Sequence, residues 1–436
     1  MFAVDFPRGS RQDSRNMSTP LQSASTAMID PRLCVLPSEI RAKAEQIITK
    51  TCISYTDWQK LSQDGRRLSP AEMPPSDWHL HPGEHPYVRR DGQLSQVEGI
   101  WPNAWGEEAT EEWLKLLDTR KVADAAMFYH GWQFRVHAQV CHTLDYCPVV
   151  SLMVRRVIKD LPRGLILPSV FKEHLRSPNG FIAISGDTGS GKSTTLTRLL
   201  IDMPDDGRHV IMYENPPEFR HHSKPNTLIR QFERGLDFHD LELALGEQVL
   251  RKDAEILVPT ELREDGALRA AVAAAGAGHL VISTMHLSTA PGVVGRVMGD
   301  ANIGHVANVS ANLRTVLCQK LVAVNGGGRM ALFEHLSIDD TVRSIIARTE
   351  PTSEGVSRTM MALEAQVREQ GVTRGSFSFE HSLCAMVERR RIDKTRAFEL
   401  SSRREWFEAN YDAIRVQNEK CNGVTGIMRL YDGPAS

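Results

Sequence analysis

The chain reads as an α/β protein: a mostly parallel, doubly wound sheet, with a small α+β domain on its N-terminal side and a helical region on its C-terminal side. Three observations predict this. Between residues 165 and 340, short apolar runs alternate with amphipathic or Ala-rich helical stretches, the pattern of strand–helix–strand crossovers. A glycine-rich loop, Gly186–Ser193, stands between one such run and a helical stretch. From 341 to 436 the apolar spacing is helical, with basic faces and no strand-like run.

Taken in order, residues 1–34 are rich in Ser, Thr, Arg, Gln and Met and poor in large apolar groups, the composition of a disordered leader. Met17 and Met28 are alternative starts. Residues 35–160 hold the first folded unit. Ile40, Ala44 and Ile47 recur at helical spacing and open a helical pair that extends to about residue 70. A turn-rich stretch follows, Pro74–Gly83. Asp91-Gly92 between short strand-like runs then predicts a hairpin. Glu107–Leu117 reads as a helix, and Trp132–Val140 as a strand with Phe134, Val136 and Ala138 on one face. After a Pro- and Gly-containing linker at Leu161–Leu165, the strands Phe181–Ser185, His209–Tyr213, Glu255–Val258 and His279–Thr284 alternate with helices such as Leu236–Leu250 and Asp265–Ala275.

Composition narrows the function. The 436 residues suffice for roughly two to four domains at about 100–200 residues each. Lys and Arg number 52 against 54 Asp and Glu, a formal charge of −2. This balance argues against a coat for nucleic acid or for an anionic membrane. No apolar run approaches the roughly 18 residues needed to span a bilayer. The longest, Ala270–Ile282, is broken by Gly276, Gly278 and His279. The seven cysteines are odd in number, scattered and without a CxxC, which is no secreted disulfide framework. No signal-peptide apolar core follows the first residues. The expectation is a soluble, intracellular protein of several domains.

Chemistry concentrates in the glycine-rich loop. Gly186, Asp187, Thr188, Gly189, Ser190, Gly191, Lys192 and Ser193 match G-x-x-x-x-G-K-[ST] in full, and a helix continues from Thr194. Glycines let backbone N–H groups turn inward around phosphate oxygens. Lys192 brings a point charge to the outer phosphates and Ser193 a hydroxyl for Mg2+, while the helix N-terminus adds partial positive charge. Such a site also needs a carboxylate to hold Mg2+ or orient water. Glu214 and Glu261 both stand at the ends of apolar runs, where ligands of open α/β sheets bind. His286 ends a third run and is a candidate sensor of the terminal phosphate. Two weaker signals are read as structural. The histidines 79, 81 and 85, and the group His137, Cys141, His142 and Cys147, lack zinc-site spacing. The basic stretch from Arg389 to Arg404 is interleaved with acids, as on a solvated helical face.

Together these residues resemble the secretion and pilus ATPase superfamily, in particular its PilT-like branch of pilus-retraction and TraJ/DotB-type secretion or conjugation ATPases. Four boxes occur in the family's order: Gly186–Ser193 is similar to its Walker A, Tyr213–Phe219 to its Asp box, Asp253–Arg263 to its atypical Walker B, and Gly278–His286 to its His box. Ser76–Gly83 with Tyr87–Gly92 resembles the opening of a PAS-like N-terminal domain, and Cys318–Val322, Gly328-Arg329, Phe333-Glu334 and Ser376–Glu380 resemble the stretches after the His box. The resemblance covers about residues 75–410.

The resemblance implies a RecA-like P-loop NTPase core with a PAS-like N-terminal domain and a helical C-terminal region, binding ATP and Mg2+. By position it gives Glu261 the water-activating role, with Arg263 in the same box, and Glu214 a Mg2+ or water-positioning role beside Ser193. His286 becomes the contact to the terminal phosphate. It also implies a hexamer in which N-domain arginines, here Arg135 and Arg156, reach a neighbouring nucleotide. The machine it implies is a pilus or type IV secretion/conjugation apparatus at the inner face of the cytoplasmic membrane, with a membrane platform protein as partner and no direct nucleic-acid ligand. Three departures stand out. Asp187 takes the place of a usual Pro, Asn215 of a usual Asp, and Pro259-Thr260 of a usual Val-Gly. They keep open an ATP-binding assembly platform with little hydrolysis. A nucleic-acid translocase is the third reading.

Overall fold

The computed structural model describes residues 38–52, 74–81, 84–90, 93–97, 122–129, 132–142 and 148–157 and, apart from short gaps at 216, 220, 235–236, 247–251, 300–302 and 371–373, residues 165–432. The leader, the second helix of the predicted pair and the Glu107–Leu117 helix lie outside the described residues.

The N-terminal unit is one helix and a six-stranded sheet. The helix α1 spans Ser38–Thr51, and the strands are β1 Asp77–Leu80, β2 Tyr87–Arg90, β3 Gln93–Gln96, β4 Val122–Tyr129, β5 Trp132–His142 and β6 Pro148–Val157. They run in the order β3-β2-β1-β6-β5-β4, all neighbours antiparallel. The predicted hairpin is β2–β3, with Arg90 opposite Gln93. The turn-rich stretch instead contains β1. Trp78 and Leu80 are fully buried there, and their burial decides the conformation over the flanking prolines. One sheet face carries Trp78, Phe134, Val136, Leu152 and Val154, all buried, with Trp78 packed edge-on to Phe134. The helix α1 belongs to this face: Ala44, Ile47 and Ile48 are buried, and Thr51 accepts the Trp78 indole N–H at 2.7 Å.

The second unit is the predicted parallel sheet. Its strands are β7 Gly180–Ser185, β8 His209–Glu214, β9 Leu228–Glu233, β10 Ile256–Pro259, β11 Leu280–Met285, β12 Leu313–Ala323 and β13 Arg329–Ser337. The order is β13-β12-β7-β11-β10-β8-β9. All neighbours are parallel except the β12–β13 edge hairpin. Every residue of β7, β10 and β11 is buried, as expected for strands covered on both faces.

Among the connecting helices, in chain order, are α2 Ser169–Glu173, α3 Lys192–Asp202, α4 Leu241–Gly246, α5 Asp265–Gly276, α6 Ala290–Met298 and α7 Ile303–Asn312. The helix predicted from Leu236 begins only at Leu241, because Phe238 bridges to Arg234 and Asp240 accepts the Leu243 N–H at 3.1 Å. The Ala-rich α5 buries Leu268 and Val272 among Ala267, Ala271 and Ala275, and the alanines allow close approach to the sheet. The C-terminal region is helical as expected: α8 Asp340–Ala347, α9 Ser353–Ala365, α10 Phe379–Glu388, α11 Lys394–Leu400 and α12 Arg404–Thr425. Its apolar side chains, among them Leu383, Phe407 and Ile414, join the core of the parallel sheet.

Candidate functional site

The loop after β7 folds as a phosphate cradle. Gly186, Gly189 and Gly191 take φ values of 148°, 80° and 91°, which side chains disfavour. A Cβ at Gly186 would lie 2.2 Å from the Gln319 carbonyl, so no other residue fits there. Lys192 begins α3, whose N-cap Gly191 makes no side-chain capping bond. The backbone donors of the first turn are thus left to an anion. Gln319 donates to the Ser190 carbonyl at 2.6 Å and props the loop from β12. The Lys192 ammonium bonds the carbonyls of Gly186 at 2.8 Å and Asp187 at 3.0 Å. Burial lowers its pKa, and the charges of Glu261, Asp187 and Glu218 only partly offset that. Asp187 itself is exposed, so the departure at this position turns its charge to solvent.

The loops after β10 and β11 bring the next three candidates to the same point. His286 Nδ1 stands 3.3 Å from Lys192 Nζ, and its Nε2 stands 2.5 Å from Glu261 Oε1. Arg263 Nε donates to the same Glu261 oxygen at 2.6 Å. Burial pushes the Glu261 carboxyl up, but the hydrogen bond and charge of Arg263, with those of His286, outweigh it and hold its pKa below the usual value. Such a carboxylate is a weak base. It suits the orienting of a water more than the stripping of its proton, which is what phosphoryl transfer asks. The Pro259-Thr260 departure is absorbed locally: the Thr260 N–H and hydroxyl both donate to the Tyr213 carbonyl, at 2.9 and 3.1 Å.

Glu214, at the end of β8, is 5% exposed. Burial raises its carboxyl to about 7, against the Gln231 hydrogen bond and with help from Glu218 and Glu233. Gln231 on β9 donates to it at 2.6 Å and to the Phe219 carbonyl at 2.7 Å, tying the carboxylate to the Asp-box loop. Sequence reading missed Gln231 and Gln319, since a lone Gln in a strand carries no pattern.

The two N-domain arginines part company. In the β5–β6 ladder Arg135 is opposite Arg155, and Phe134 is opposite Arg156. Strand alternation therefore puts Arg135 and Arg155 on one face and Arg156 on the other. Arg135 Nη1 lies 4.0 Å from Glu218 in the loop after β8, so its face meets that loop of the core. Arg155 pairs with Asp77 at 2.6 Å. Arg156 stacks 4.5 Å from the Trp132 ring centroid and donates to the Pro75 and Pro74 carbonyls at 2.8 and 3.2 Å. Its guanidinium makes these contacts inside the N-terminal unit, whereas the sequence expectation has it reach a neighbouring nucleotide. Face parity is the reason. The register that sets Arg155 beside Arg135 is not in the sequence pattern.

The profile of the type II/IV secretion system protein family matches residues 168–326. The type IV pilus retraction ATPase PilT of Pseudomonas aeruginosa is 30% identical over 292 residues, which are 63% of this chain and 82% of the relative. YggR, an uncharacterised protein of Escherichia coli, is 36% identical over 206 residues. The chain covers 62% of the length of YggR, and the match takes in 45% of this chain. The Legionella pneumophila ATPase DotB superposes with a TM-score of 0.62 at 22% identity, over 74% of this chain and 90% of that one. The pilus retraction motor PilT with bound ADP does so at 0.62 and 24%, over 77% and 95%. At those identities the structures establish the shared fold.

Proposed function

The chain belongs to the type II/IV secretion system protein family, within its PilT-like group of pilus and secretion ATPases, and from that premise we propose that it is a motor ATPase that hydrolyses ATP to drive a pilus or secretion machine. The observation that carries the reading is the convergence of Lys192, His286, Glu261 and Arg263 in one hydrogen-bonded row at the mouth of a phosphate loop. Lys192 and the first turn of α3 hold the phosphates, Glu261 orients the attacking water, and His286 touches the terminal phosphate and links the two. Arg263, already on Glu261, keeps that carboxylate ionised.

Ser193 and Glu214 would hold a Mg2+ ion. A hydroxyl and a carboxylate are the oxygen donors such an ion takes, and when bound it would offset charge on the phosphates. We assign Arg135 as the N-domain cation presented to a nucleotide, with Arg155 beside it and Arg156 as a strut. Cation-assisted charge relief of this kind is worth much to phosphoryl transfer. The assembly we propose is a hexamer on a membrane platform protein at the cytoplasmic face. Among the described residues no helix is long and apolar enough to cross a membrane. One observation favours a second reading, an ATP-binding platform with little hydrolysis: the same Glu261 oxygen is held by Arg263 and by His286 at once.

Purified protein at saturating Mg-ATP should release phosphate steadily, at a rate per chain that falls on dilution as the assembly dissociates. No release above that of Lys192→Ala protein overturns the motor reading and leaves the platform.

A further inference from the structure

We propose that Ser185 is a positioning residue, whose buried hydroxyl fixes where His286 stands between Lys192 and Glu261. The kinetic part of this inference rests on the ATPase reading above. Ser185 is the last residue of β7, wholly buried after the apolar run Phe181–Ile184. A hydroxyl there is costly unless it is bonded. It is bonded on both sides of His286. Ser185 Oγ accepts the Leu287 N–H at 2.9 Å, and it lies 2.7 Å from the Leu287 carbonyl and 3.3 Å from that of Met285. A hydroxyl has one proton, so it donates to one of those carbonyls while accepting from the amide.

The β7–β11 ladder ends at the Ser185–Met285 pair. Beyond it the chain turns away, and the Ser185 side chain takes over the bonding that the ladder no longer supplies. Ser185 also adjoins Gly186, whose carbonyl receives the Lys192 ammonium. One residue therefore roots both ends of the Lys192–His286 contact. The far end of the turn is held as well: Glu334 Oε1 accepts the Ala290 N–H at 2.7 Å. Met285, Ser185, Cys318 and Glu334 form a row of cross-strand partners through four strands, and the His286 turn is seated at one end of that row.

The test compares Ser185→Ala and Ser185→Thr with the unaltered chain, each also in a His286→Ala background. Misplacing a group that acts in the transition state lowers kcat more than binding, and small displacements cost up to about a hundred-fold. Ser185→Ala should lose roughly ten-fold or more in kcat with Mg-ATP affinity within about three-fold. Ser185→Thr, which keeps the hydroxyl, should recover most of it. In the His286→Ala background Ser185→Ala should cost nothing more, because the two act as one unit. A second readout needs no nucleotide. In protein with labelled histidine, the His286 ring resonance, identified by its loss in His286→Ala, should move in Ser185→Ala and return in Ser185→Thr, while those of His335 and His381 stay in place. An unmoved His286 resonance, or a full loss of kcat persisting without His286, overturns the proposal. If the unaltered chain shows no turnover, the ATPase reading fails, and the ring resonance still decides the role of Ser185.

Discussion

In the parallel sheet, β7, β10 and β11 are buried on both faces; Glu261 and His286 stand just past strand ends, and Lys192 opens the helix that follows the loop after β7. In the antiparallel N-terminal sheet the corresponding candidates, Arg135 and Arg156, stand within strands, and neighbouring positions face opposite ways. In the first sheet, place along the strand decides function, because both faces are closed. In the second, face parity decides it, because one face is packed under α1 and the other is turned to the core.

Single substitutions in each sheet test this contrast. The largest effect belongs to Lys192, at the carboxyl-end side of the parallel sheet. Lys192→Ala should lower turnover by a factor of roughly 10²–10³ or more and weaken nucleotide binding, read by phosphate release and calorimetric titration. Retained turnover would break the rule that chemistry gathers beyond the carboxyl ends of the parallel strands.

Next comes the parity test. Arg135→Ala should slow turnover about ten-fold or more with thermal stability nearly unchanged. Arg156→Ala should cost about 1–3 kcal/mol of stability, since it strips the Pro74 and Pro75 carbonyls of their donor and bares Trp132. Denaturant melts and phosphate release on the same samples separate the two. The reverse outcome would refute the parity argument.

A smaller effect concerns Glu334, buried in the parallel sheet. Burial raises its carboxyl to about 7, with Glu380 adding to the rise and the Ala290 bond, Lys320 and Arg403 opposing it. The folded chain then keeps a proton between about pH 4.5 and 7 that the unfolded chain has released, so this group's contribution to stability falls as pH rises through that window. Glu334→Gln keeps an oxygen for Ala290 and removes the titration. Its stability should fall less over the same range, by on the order of 1–3 kcal/mol, and an unchanged slope in urea melts at several pH values would count against it. The smallest effect is at Asp187, whose side chain faces solvent. Asp187→Asn should leave stability within about 0.5 kcal/mol and turnover within roughly two-fold.

Much of the core was legible because its strands are short apolar runs and its loop glycines stand where the backbone takes positive φ. Glu214, Glu261 and His286 could be named because strand ends converge in a parallel sheet. Other elements hid. The edge strand β9 carries Arg230, Gln231 and Glu233, and its exposed side breaks the apolar pattern. The strand β1 lies among prolines and histidines and is settled by long-range pairing with β6. The opposed fates of Arg155 and Arg156 depend on register, which spacing alone does not supply. Ser185 gave no signal, since its role comes from where a ladder stops.

The central claim is that Glu261, held between His286 and Arg263, orients the water that cleaves a nucleotide on Lys192. Its direct test measures phosphate release and Mg-ATP affinity together on Glu261→Gln protein. The claim predicts affinity within about three-fold of the unaltered chain and turnover lower by roughly a hundred-fold or more. Undiminished turnover with normal affinity would contradict it.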